Sequence, residues 1–145
     1  MIALAEKNNS PLDLLIFTGV AGAVKENLKQ WDIVIPDGLI QHDLDASPLY
    51  PKYVIPSLKK DIIKQNKNLN IWARDILTLW KKEKKLIPFG EIYGGTIATG
   101  DQFINDKQII KNISKSIKNV SAIEMEGASV AQVSEQEGIP FLVIR

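Results

Sequence analysis

The 145-residue sequence predicts an α/β domain with a mixed, largely parallel central sheet flanked by helices, and two features predict it. Short, almost wholly apolar runs recur along the chain, as in LDLLIF at 12–17 and FLVIR at 141–145, and such runs mark strands covered on both faces. Between them lie segments whose apolar residues repeat every three or four positions, the spacing of one helix face. A chain of this length with 45% hydrophobic residues is one domain, and folding should bury roughly two-thirds of the surface its unfolded form exposes.

The first strand is expected at 12–17, ending at Thr18-Gly19, and the next six residues, GVAGAV, are small. Two further strands are expected at 32–36 and 38–42. Residues 43–56 hold three prolines and two tyrosines, which suits a long ordered loop better than a regular element. Residues 57–67 and 71–85 carry helical spacing, the second with Trp72, Ile76 and Trp80 on one stripe. Residues 91–99 are strand-like. A helix follows at 106–118 with Ile109, Ile110, Ile113 and Ile117 on one face, then a strand at 121–125. A last helix over 126–137 is ended by Gly138, the left-handed residue helices favour there, before Pro140 and the closing strand. The sequence opens on a helix-like tail and closes in an apolar strand, so the 145 residues are expected to be part of a larger domain.

Composition removes several classes of function. Without cysteine there is no disulfide framework, thiolate nucleophile or Cys-based zinc site. The formal net charge of +1 calls for neither nucleic acid nor an anionic membrane as partner. No apolar run reaches the roughly 18 residues of a membrane span, and the first residues lack a secretory pattern, so a cytoplasmic protein is expected. No P-loop, GxGxxG or GxSxG elbow occurs. Residues 52–85 hold ten basic and three acidic residues, read as a solvated helical face rather than a nucleic-acid surface because their aromatics sit at core spacing.

In open α/β sheets ligands bind beyond the carboxyl ends of the strands. Three such tips carry candidate chemistry. Gly19, Val20, Ala21 and Gly22 are small enough for close backbone approach to a sugar or phosphate, or simply for tight packing. Residues 99–104 put Phe103 and Ile104 beside Asp101, with Phe103 either a stacking platform or core. Glu126 stands where strand gives way to helix, as a ligand contact or as a first-turn carboxylate favoured by the helix dipole, and Glu124 reads as an acid paired with a nearby base. His42, the only histidine, has Asp43 and Asp45 nearby, a grouping read as structural rather than as a metal site.

Three segments in this order, FTGVAGAV at 17–24, GTIATGDQFI at 95–104 and SAIEMEGASVAQVSEQEGIPFLVIR at 121–145, resemble the 5′-methylthioadenosine/S-adenosylhomocysteine nucleosidases of the purine nucleoside phosphorylase superfamily. The likeness is most specific at residues 122–126 (AIEME) and 99–104, and His42-Asp43-Leu44-Asp45 is similar to the family's HDxD. The resemblance implies a nucleoside phosphorylase-like fold, a purine nucleoside as the small-molecule partner, a homodimer, and no metal or organic cofactor. It implies that Glu126 binds the ribose hydroxyls, Met125 packs on the ribose, Phe103 stacks on adenine and Ile104 offers backbone bonds to the base. Ile123 and Glu124 would line the substrate pocket, residues 19–22 would approach the sugar and the nucleophile, and Arg145 would help position the attacking water.

The departures are informative too. In the family the proton donor to the purine is an aspartate just beyond the position of Arg145, and the general-base glutamate lies on an N-terminal strand and loop; neither position falls within these residues. The family's Asn-Thr-Gly-Ser reads Phe17-Thr18-Gly19-Val20 here, which removes a hydroxyl. Residues 11–24 also lack the arginine with which phosphorylases hold phosphate, so hydrolysis is expected over phosphorolysis. A phosphorylase, or a nucleoside-binding module without turnover, is the alternative.

Overall fold

The computed structural model describes residues 11–145; the helix tail expected at the start lies outside them. Nine strands and three helices follow among these residues: β1 (Leu15–Thr18), β2 (Gly22–Ala23), β3 (Ile33–Val34), β4 (Gly38–Gln41), β5 (Ile62–Lys64), α1 (Lys67–Lys82), β6 (Ile92–Tyr93), β7 (Thr96–Thr99), α2 (Lys107–Ser116), β8 (Val120–Glu124), α3 (Gly127–Gln136) and β9 (Phe141–Ile144). The central sheet has the order β2-β8-β7-β4-β5. Its inner strands β8, β7 and β4 are parallel, and the outer strands β2 and β5 run antiparallel to their neighbours. Two parallel pairs, β1-β9 and β3-β6, stand beside it. Reciprocal backbone bonds between Val34 and Arg145, at 2.7 and 2.9 Å, tie those pairs together.

Strand parity sorts the core into two layers, because successive side chains point to opposite faces. Leu39, Ile97 and Ala122 point to one face and pack with Ala128 and Ala131 of α3, Phe141 and Val143. Their neighbours Ile40, Ala98 and Ile123 point to the other and pack with Ile113 and Ile117 of the α2 segment. The helices therefore cover both faces, as the expected α/β class requires. Asp106 caps α2 through bonds to Gln108 N and Ile109 N, and Gly138, at φ 67°, ends α3 as the sequence predicts.

The structure corrects four expectations. Residues 57–67 are not a helix: Ile62, Ile63 and Lys64 pair with β4 instead, burying Ile63 opposite Leu39. Lys59 at φ 54° breaks any helical path there. The helix begins only after Asn66, whose side chain accepts from Asn68 N and Leu69 N. Second, α1 does not bury its Trp72, Ile76 and Trp80 stripe, for Trp72 is 48% and Trp80 42% exposed. It buries Asn70 and Ala73, because polar groups decide its rotation: Asn70 Nδ2 donates to Pro36 O at 2.9 Å and its Oδ1 accepts from Nε2 of buried Gln65, while Arg74 donates to Ile35 O and Tyr93 O. The third difference is that residues 91–99 form two strands, not one. Gly95, at φ 116°, turns the chain between them, and a Cβ there would fall 2.2 Å from Ser121 Oγ. This lets β6 pair with β3 while β7 enters the central sheet. Finally, β1 is covered on one face only, with Ile16 51% exposed on the other.

At the amino end of β3, the Asp32 carboxylate accepts from Lys29 N and Glu91 N and so joins the entries to β3 and β6. The Lys29 amide is the main cause holding that carboxyl below its usual range.

Candidate active site at the carboxyl end of the parallel strands

The tips of β1, β7, β8 and β9 converge on one buried carboxylate, Glu124. As the last residue of β8 it points inward, where its side chain is 3% exposed. It accepts the Thr99 hydroxyl at 2.5 Å, the Gly127 amide at 2.8 and 2.9 Å, and the Nε and Nη2 of Arg145 at 3.1 and 2.5 Å. Thr99 Oγ1 in turn accepts from Ala128 N at 2.8 Å. Glu124 and Thr99 thus satisfy the first free amides of α3, where the helix dipole favours negative charge. A Cβ on Gly127 would lie 3.0 Å from both Glu124 oxygens and 2.8 Å from Leu39 Cδ2, so a side chain there would have to push one of them aside.

Arg145 is 2% exposed at its side chain and lies over the Phe17 ring, 4.1 Å from its centroid. Its Nη1 faces the turn after β1, so close that a Cβ on Gly19 would come within 2.8 Å. On the far side of β8, Gly22 pairs with Ile123. The structure therefore brings Gly19, Gly22, Ile123, Glu124 and Arg145 together. Ile123 is buried with its side chain in the α2 layer, and Ile104 is half-buried against the same layer.

Glu126 is the other carboxylate of the run, and it is exposed. It occupies the N-cap position of α3 with no side-chain capping bond, because Glu124 takes that role. Met125 beside it is also exposed. Phe103 is 82% and Val20 93% exposed, and Ala21 is exposed too, so these expected contacts stand at the surface around the tips. Glu124, expected in the substrate pocket or paired with a nearby base, is saturated by protein donors: it pairs with Arg145 and accepts the Gly127 amide at the start of α3. Glu126, two residues on, makes no side-chain capping bond.

Thr99 and Phe17, which sequence reasoning did not single out as site residues, complete the arrangement. A signal for Glu124 was present: an acid three residues before a helix's first amide-rich turn is placed to accept from it. No pattern announces Phe17 under Arg145, since 128 residues separate them. The HDxD carboxylates serve the backbone: Asp43 accepts from Asp101 N at 2.7 Å, and Asp45 from Ser47 N at 3.0 Å. Hydrogen bonding from Ser47 holds the Asp45 carboxyl below its usual range. A cavity of about 880 Å³ lined by Lys60, Lys64, Ser134 and Phe141 opens at the amino end of β9, the opposite end of the strands from Glu124.

The α/β topology defines the class, and the chain belongs to the phosphorylase superfamily, whose family model matches residues 9–145. Among curated relatives, the chain is 35% identical over 132 residues to an aminodeoxyfutalosine nucleosidase of Helicobacter pylori, covering 90% of this chain and 53% of the relative. It is 33% identical over 134 residues to the 5′-methylthioadenosine/S-adenosylhomocysteine nucleosidase of Bacillus subtilis, covering 92% and 54%. The chain therefore spans about half the length of the curated relatives it matches. The solved Helicobacter pylori MTAN superimposes with a TM-score of 0.81 at 33% identity, over 98% of this chain and 60% of that one. Among the described residues no helix is long and apolar enough to cross a membrane.

Replacing Glu124 with glutamine strands the buried guanidinium without its counter-charge. Removing one partner of such a pair costs about 3–5 kcal/mol. Urea unfolding of Glu124→Gln should show a loss of that order, and a midpoint equal to wild type would contradict the bracing role.

Proposed function

We propose that the protein carrying this chain hydrolyses the N-glycosidic bond of 5′-methylthioadenosine or S-adenosylhomocysteine, releasing adenine and the 5-thioribose product. The observation that carries this reading is Glu126, an exposed carboxylate without a capping bond at the tip of β8. As the bond to the purine breaks, the sugar gains positive charge and its hydroxyls bind a carboxylate more strongly, so Glu126 stabilises the transition state more than the ground state. In this reading Met125 packs on the ribose, Phe103 stacks on adenine, and the Ile104 backbone bonds the base while Ile123 and Glu124 support the pocket from beneath. The turn from Gly19 to Gly22 approaches the sugar, and the Nη1 edge of Arg145 helps orient the water whose oxygen replaces the purine. No metal or organic cofactor takes part.

Val20 and the lack of arginine over residues 11–24 favour water over phosphate, a dianion that needs charged or hydroxyl donors. A second substrate, aminodeoxyfutalosine, is favoured by the name of a relative 35% identical to this chain. It calls for the same bond cleavage. The half-length match to the curated relatives supports placing these 145 residues within a larger domain. The family resemblance adds a cytoplasmic homodimer in which residues 43–56 help cover the neighbour's 5′-substituent site.

Adenine release by the protein from its native source should proceed without phosphate; a strict phosphate requirement would make it a phosphorylase. Glu126→Gln should lose at least about a hundredfold in kcat while keeping the wild-type unfolding curve. Near-normal turnover in that variant would remove Glu126 from the site. Light scattering and intact mass on one sample should give a dimer of chains heavier than 16.2 kDa, and a 16.2 kDa monomer would overturn both assignments.

A further inference from the structure

The sequence His42-Asp43 follows β4 directly, and nothing in the reaction described above uses it. Its surroundings are specific. The backbone of His42 extends the ladder by one bond, N to Thr99 O at 2.9 Å, which brings its ring against Gly100. A Cβ on Gly100 would lie 2.2 Å from His42 Nε2, 2.6 Å from Cε1 and 2.9 Å from Asp43 Oδ2. The backbone of Gly100 does not adopt the left-handed conformation that favours glycine, so the requirement is space: ring and carboxylate occupy the place of a side chain. Nε2 is buried there without a hydrogen-bond partner among the described residues. The ring is held there by its contact with Gly100 and not by a bond at Nε2.

One residue further on, Asp43 Oδ2 accepts the Asp101 amide at 2.7 Å. From the opposite side Gly100 N donates to Glu124 O at 3.1 Å. The stretch 100–101 is therefore clamped between the ends of β4 and β8. Phe103 comes two residues later and is exposed, so its direction depends on this clamp rather than on packing of its own.

We propose that His42 and Asp43 are positioning residues for the base site: by filling the face of Gly100 and holding the Asp101 amide, they fix the strand of chain that presents Phe103 and Ile104 to a purine. This rests on the nucleoside reading above. It also ties the loop over residues 43–56 to the base site, because that loop begins at the residue that holds Asp101.

The test uses the protein from its native source, with two readouts: hydrogen exchange of a peptide spanning residues 99–106, and the Kd for adenine by calorimetry. In Asp43→Ala the Asp101 amide loses its acceptor, so exchange in that peptide should rise and adenine should bind about tenfold more weakly. Asp43→Asn keeps an acceptor oxygen and should restore both values, which a role through charge or general stability would not do. If Asp43→Ala does not fold, Gly100→Ala gives the same two readouts by pushing the His42 ring aside. Unchanged exchange, or raised exchange with wild-type adenine affinity, would overturn the positioning role. Wild-type protein that binds no adenine would instead overturn the nucleoside reading itself.

Discussion

A single buried carboxylate organises the carboxyl end of this sheet. Glu124 is at once the counter-ion of Arg145, the acceptor for the first amides of α3 and the partner of the Thr99 hydroxyl. Each of these donors comes from a different element, so β7, β8, α3 and the end of β9 are held in mutual register by one group. Burying a charge is costly unless it is paired and hydrogen-bonded, and here both conditions are met. The arrangement also explains why Glu126 can face solvent. With the helix amides already satisfied, that carboxylate has no structural duty.

The same logic of satisfied polar groups sets the rotation of α1. Gln65 is buried and bonded to Asn70 and to the backbone of Val143 on both sides, N–H and C=O. Asn70 reaches on to Pro36 O, and Arg74 to Ile35 O. These bonds satisfy the backbone of β9 and of the residues just after β3 on the side where α1 packs, and turning the helix to bury its tryptophans would leave them unmade. An unmade buried bond costs about 1–3 kcal/mol, comparable to what burying a large apolar side chain contributes.

Sequence pattern reveals elements whose termini carry their own chemistry. Helix α2 announces itself through Asp106 and the isoleucines, and α3 through Gly138. The inner strands are legible from apolar runs because they are covered on both faces. Pattern fails where a distant partner decides. Residues 57–67 have helical spacing, yet Ile63 gains more by pairing beside Leu39, and the break between β6 and β7 depends on Ser121 filling the space above Gly95. In the site, the AIEME run is legible because the strand ends at Glu124 and the chain turns into α3 at Glu126, so the two glutamates, which an unbroken strand would point the same way, part there. Which of the two would meet a ligand was legible only in part, since Arg145 and Phe17 are remote in sequence from Glu124.

All three tryptophans of the chain lie at the surface: Trp31, stacked edge-on against Phe89, and Trp72 and Trp80 along the outer side of α1. Each of these residues stays between 42% and 53% exposed in the folded state. Emission from this protein consequently reports on the outer side of α1 and on the Trp31–Phe89 contact, and says little about the tips of β7 and β8, where no tryptophan stands. The same placement makes the three indoles a built-in optical reporter of the outer face: any surface that closes over α1 displaces water from them and shifts their light toward the blue.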